Sequence, residues 1–150
     1  MPLKGAKAHI GRLRALASAS AERDISKALF AGAELIVTHA QRSITAGSVS
    51  GKGHQPSKAP APPNNDTGGL ANNIEATQPA PLRARVTAEA AYAAIHEFGG
   101  TIENAFGNGT KVTLPARPFM RPARDAKRKE VKALVEQALG RVVKKSRRSD

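Results

Sequence analysis

Cysteine and tryptophan are absent from the 150-residue chain. Without thiols there is no disulfide framework, no thiolate nucleophile and no cysteine-based zinc or iron-sulfur centre, and the chain is free to fold in a reducing cytoplasm. Aromatic residues make up only 3% of the sequence against 40% hydrophobic, much of it alanine. A modest core of small, closely packed side chains with a few large anchors follows. Nowhere does an apolar run approach the roughly 18 residues of a membrane span, and the basic start (Lys4, Lys7) leads into Ala8, His9 and Gly11 instead of an apolar signal core. Neither membrane insertion nor ordinary secretion is expected. Acidic residues are also scarce: 12 Asp and Glu face 24 Lys and Arg, a net charge of +12. Such a surplus selects for an anionic partner or an oppositely charged protein surface. The length corresponds to about one domain, which leaves no room for a second catalytic lobe.

The charge is unevenly placed. Residues 1–44 hold seven basic and three acidic side chains, 45–70 two and one, 71–118 four and four, and 119–150 eleven and four. Basicity therefore sits on the flanks of a balanced middle.

Hydrophobic spacing divides the chain into elements. Ile25, Leu29, Ala33, Ile36, Ala40 and Ile44 form one helical stripe, which predicts a long helix over residues 21–45 with Ser20 as N-cap. A shorter helix over 3–16 carries Ile10, Leu13 and Leu16. Residues 46–69, rich in glycine, proline and asparagine, predict an extended, partly polyproline-like loop with little to bury. Period-two alternation at Ile74 and Ala76 and again at Leu82, Ala84, Val86 and Ala88 predicts an antiparallel hairpin turning at residues 78–81. Residues 90–98 read as a short helix stopped by Gly99 and Gly100. The Gly107-Asn108-Gly109 run predicts a tight turn between strands at 101–106 and 110–114. Pro115, Pro118 and Pro122 then build a rigid elbow that aims Phe119 and Met120. A last helix over 123–143 follows from Val131, Leu134, Ala138 and Val142, and the basic tail 144–150 is expected to be disordered. The sum is an α+β fold: a single domain over 1–143 in which a long N-terminal and a C-terminal helix pack on a small antiparallel β-sheet.

Motifs for chemistry nearly fit and fail. Gly47 to Gly53 resembles a phosphate-binding loop, but its first glycine stands one residue too close to Gly51-Lys52, and Gly53 replaces the hydroxyl that would hold magnesium. Val49 occupies the serine position of a nucleophile elbow. His96-Glu97 opens a zinc-helix motif whose second histidine is Gly100. The other histidines, His9, His39 and His54, show no ligand spacing. No catalytic residue, cofactor or metal ligand is assigned, and the chain reads as a non-enzyme. The basic residues of 119–150 suit phosphate neutralisation, but stacking aromatics and base-reading motifs are missing. A small nonspecific DNA-binding protein is the alternative reading.

The order of the pieces resembles a known family. The run Leu3-Lys-Gly-Ala-Lys7, the helix segment Lys27-Ala-Leu-Phe-Ala-Gly-Ala-Glu34, the loop pieces Gly51 to Ser57 and Pro62 to Leu70, then Ala91-Tyr-Ala-Ala-Ile-His-Glu-Phe-Gly-Gly100 and Ala116-Arg-Pro-Phe-Met-Arg-Pro122 resemble bacteriophage neck and tail-completion proteins and the related virion-morphogenesis proteins. One departure is the segment 101–115, where many relatives have a short link. The resemblance implies a structural virion protein, made in the bacterial cytoplasm and assembled as a six- or twelve-fold homo-oligomeric ring at the head-tail junction. It implies portal or connector and tail-tube or tail-terminator proteins as partners, nonspecific contact with DNA in the lumen, and no membrane. A closed ring needs two different complementary patches per subunit. The interface candidates are Pro62, Pro63, Tyr92, Phe98, Arg117, Phe119, Met120 and Arg121.

Overall fold

The structure, a computed structural model, describes residues 5–147. Five α-helices and two small antiparallel two-stranded sheets make an α+β fold. Helix α1 spans Ala6–Leu16 and α2 Ala19–Thr45. The short α3, Gly69–Asn72, leads into strands β1 (Ile74–Ala80) and β2 (Arg83–Ala88). Helix α4 is Ala93–Phe98, β3 Gly100–Ile102, β4 Val112–Leu114 and α5 Met120–Arg147. The chain divides into two compact units: Met1–Leu35, Ala76–Arg85 and Arg128–Asp150 form one, and Ile36–Glu75 with Val86–Lys127 the other.

In the first unit small residues set the packing. Ala21, Ala28 and Ala33 of α2 and Ala138 and Val142 of α5 are buried. A Cβ added to Gly32 would meet Val131 Cγ1 at 2.8 Å, so the missing side chain is what lets α2 and α5 approach at this point. The Ser26 hydroxyl, buried, accepts the Leu82 N–H at 2.9 Å. That bond fixes the β1–β2 turn at Pro81 and Leu82, the latter in the left-handed region at φ 56°. The turn is thus tighter and later than the expected 78–81, and Leu82 leaves the sheet face to sit half exposed at the tip.

Several helix ends differ from expectation: α4 begins at Ala93 and not at 90, and α5 at Met120 and not at 123. Helix α2 starts at Ala19, because the Ser18 hydroxyl and not Ser20 accepts the Ala21 N–H at 3.1 Å, the N-cap bond to the third residue of the helix. Helix α1 begins at Ala6; Leu3, its expected start, lies outside the described residues. None of its residues is buried, and Ile10, Leu13 and Leu16 face solvent. Helix α5 runs from Met120 through Arg147, so residues 144–147 of the expected disordered tail are helical. Lysine and arginine are good helix formers and suit the negative C-terminal end of the dipole. Residues 148–150 lie outside the described part.

The second unit is built around Val37, Ala40, Ile44, Leu70, Ala71, Ile74, Ala93, Phe119 and Ala123. The Gln41 side chain donates to the carbonyls of Ala71 and Ile74 at 3.1 and 3.2 Å, tying the chain entering β1 to α2. Strands β3 and β4 pair antiparallel, Thr101 opposite Thr113. The tight Asn-Gly turn expected between them is absent: residues 103–111 form a broad loop. Its closure comes from Asn104, in the left-handed region at φ 56°, whose side-chain oxygen accepts the Gly109 N–H at 2.7 Å. Asn108 caps Thr110 through its own side chain, which removes it from the hairpin-turn role.

Candidate functional site

The glycine- and proline-rich loop 46–69 follows a defined path, contrary to a loop with nothing to hold it. The Asp66 carboxylate accepts the Gly51 N–H at 3.0 Å, the Asn64 amide donates to the Gln55 carbonyl at 2.8 Å, and the Asn65 N–H donates to the Ile44 carbonyl at the end of α2 at 2.9 Å. Pro63 is buried. Polar bonds replace the apolar contacts that the loop lacks.

Helix α4 forms the facing wall. Its i, i+4 pair Tyr92 and His96 share one face, with rings edge to face at 5.8 Å. The Tyr92 hydroxyl lies so close to Gly69 that a Cβ there would meet it at 2.7 Å. The elbow is bound to the last turn of α4 by the Arg117 N–H, which donates to the His96 carbonyl at 2.7 Å. Between loop, helix and elbow lies a cavity of about 340 Å³, lined among others by His54, Asn64, Asp66, Tyr92, His96 and Arg117. All fourteen lining residues fall within four of the segments that carry the family resemblance, 51–57, 62–70, 91–100 and 116–122.

Its lining carries one guanidinium, Arg117, and one carboxylate, Asp66. Arg117 Nε is buried and has no hydrogen-bond partner, and among the described residues no carboxylate pairs with this guanidinium. Burial, and secondly the Arg117 charge beside it, hold the His96 imidazole below its ordinary value of 6.5. Both causes favour the uncharged imidazole.

The other face of α4 does structural work. Glu97, 8% exposed, accepts the N–H groups of Phe119 and Met120 on Oε2 at 2.8 and 2.9 Å and of Arg121 on Oε1 at 2.9 Å. A helix start leaves its first N–H groups without intrahelical partners. Here Phe119 is the N-cap, its carbonyl accepting the Ala123 N–H, and the next residue along, Pro122, has no N–H to satisfy. One carboxylate completes the whole terminus. In the sequence Glu97 stands out as half of a failed zinc motif and as part of the 91–100 segment, with no sign of a capping role. The signal that could have found it is the elbow itself, which offers no Ser, Thr, Asp or Asn to cap α5.

The interface candidates separate into three groups. Phe119, 1% exposed, is buried inside its own unit. Tyr92, Arg117 and Pro63 line the cavity, with Pro62 half buried next to it. Phe98 and Arg121 are exposed and Met120 half buried.

Among the described residues no group of three or more His, Asp or Glu side chains is placed to hold a metal ion, and no helix is long and apolar enough to cross a membrane. The fold and the cavity define a small α+β protein with a loop-built concave surface. The chain matches the phage virion morphogenesis family over residues 7–140 and belongs to it. No curated protein and no solved structure matches the chain. Family membership gives it a structural or assembly role in a phage and associates it with the virion.

Proposed function

We propose that the chain is a non-enzymatic neck protein, a tail-completion or head-tail joining subunit that closes into a homo-oligomeric ring between portal and tail. The observation that carries this is the family match over residues 7–140, together with the order of sequence segments resembling neck and tail-completion proteins. The distribution of exposed apolar residues supports it. A closed ring of identical subunits needs two unlike patches on each. One unit exposes Ile10, Leu13 and Leu16 on α1, and the other exposes Phe98, Ile102 and Phe106. Two of the four phenylalanines in the chain are thus left in solvent, in a protein with few aromatics to spend on its core.

The basic residues have a place in the same reading. Arg121, Arg124, Arg128, Lys129, Lys132, Arg141, Lys144 and Lys145 are exposed along α5. In a ring around DNA they lower the cost of passing a polyanion without reading its sequence. Binding to two unrelated duplexes should then be equally weak and fall steeply with salt.

The test is electron microscopy of virions in which the chain carries a small added domain. Extra density repeating around the head-tail junction is expected. Density elsewhere in the particle, or none, would overturn the neck assignment.

A further inference from the structure

We propose that the cavity between loop 54–70, α4 and the Arg117 elbow is a receptor for a carboxylate, the side chain of an acidic residue presented by a protein partner in the assembly. This rests on the assembly role proposed above and names the chemistry of its contact. Five polar side chains line the cavity without a side-chain hydrogen bond, namely Arg117, His96, Tyr92, Asn65 and Thr67, and of their atoms the Arg117 Nε is the one that is buried without a partner. All five can donate, the guanidinium alone cannot accept, and the single full charge among them is positive. A half-buried guanidinium with no acceptor is costly to maintain, and the ligand that offsets this cost is an acceptor carrying negative charge. Asp66, the acid among the lining residues, is exposed and accepts the Gly51 N–H on Oδ1, and no ion pair joins it to Arg117.

Shape favours one carrier of that charge. A concavity of about 340 Å³ has room for a side chain inserted by a partner, whereas the phosphates of a duplex lie on a broad convex surface. The surplus of +12 also favours an acidic protein surface as the docking counterpart. Walls made of prolines, glycines and a tyrosine complete a pocket for the methylene stem of Asp or Glu behind its head group.

The experiment is an NMR titration of the isolated protein, following the His96 ring proton with sodium acetate and with N-acetylglutamate amide as probes, against sodium chloride at equal ionic strength. A bound carboxylate places negative charge beside the imidazole, so the His96 titration midpoint should rise by about 0.5 or more. The response should saturate with either carboxylate and be absent with chloride. Arg117→Met should weaken it about tenfold or more, and Tyr92→Phe about fivefold, the loss of one hydrogen bond. An equal response to chloride, or undiminished binding in Arg117→Met, would overturn the proposal. Should Arg117→Met fail to fold by circular dichroism, undiminished binding in Tyr92→Phe does the same. Inorganic phosphate binding a hundredfold tighter than acetate, displaced by a DNA duplex, would also overturn it in favour of a nucleic-acid backbone. Because the probes act on single subunits, the pocket can fail while ring density is seen, or hold while it is not.

Discussion

Helix α5 is fixed in two different ways along its length. Its first turn, in one compact unit, is held by the Glu97 carboxylate and the buried Phe119 ring. Its later turns, in the other unit, are held by contact: Gly32 admits Val131, and Ala138 and Val142 are buried. Contact packing repeats with the helical period and is visible in the sequence. The clamp has no period, because Glu97 acts on a residue 22 positions away. The same helix therefore teaches that a buried acid can be as much a part of the fold as a buried leucine, without leaving a pattern.

The comparison is broken most directly at Glu97. Glu97→Ala removes three hydrogen bonds to a carboxylate and leaves three N–H groups at a partly buried helix start; a loss of about 2 to 4 kcal/mol is expected in urea unfolding. Glu97→Gln should recover little of it, since the amide can present its NH₂ to backbone donors. A loss below about 1 kcal/mol for both variants would show that water caps this terminus and that the clamp is incidental.

At the other end the corresponding change is Gly32→Ala. The new methyl would meet Val131 Cγ1 at 2.8 Å, far inside contact distance, and the helices must separate or Val131 must change rotamer. About 1 to 3 kcal/mol of destabilisation is expected. Combining it with Val131→Ala, which vacates the space, should cost less than the sum of the two single changes. Strict additivity in that cycle would mean that the close approach of α2 and α5 is not what Gly32 is for.

How much of this could be read beforehand follows the same division. The helices α2 and α5 and the alternation of β1 and β2 were legible because burial imposes a period on each, although Ile25, Leu29 and Ile36 of the expected α2 stripe are only half buried; the stop of α4 was legible because glycine readily takes the φ of 71° found at Gly99. The loop between β3 and β4 was not, because Asn-Gly signals a two-residue turn only when the asparagine side chain is otherwise idle, and Asn108 is bonded to Thr110. Loop 46–69 was legible as a loop from its prolines and glycines. Its path was not, since Asp66, Asn64 and Asn65 act through single long-range bonds that any exposed polar residue could make. The cavity shares that fate: Tyr92 and Arg117 stood among the interface candidates, but only the fold brings them together with His96 and the loop.

A local cap should be worth less than the distant one. Ser18→Ala removes the bond to the Ala21 N–H at an exposed helix start, and about 1 kcal/mol is expected, read as a small fall in the urea midpoint. Ser20→Ala, at the position that the sequence favoured, should change stability by less than about 0.5 kcal/mol. Equal effects at the two serines would return the cap to Ser20.

The smallest effect is pH dependent and belongs to the polar end alone. Burial and the neighbouring Arg117 lower the His96 pKa in the folded chain from 6.5, so on acidification the unfolded chain takes up this proton first. The contribution of neutral His96 is therefore fully present above about pH 6.5 and is lost as the pH falls through the folded value. The urea midpoint should decline between pH 7 and pH 5, and His96→Gln, which stays neutral, should remove that part of the slope. Gly32→Ala alters the other unit and should lower the midpoint at both pH values while leaving the slope unchanged. A slope that survives His96→Gln would assign the titration to groups other than His96.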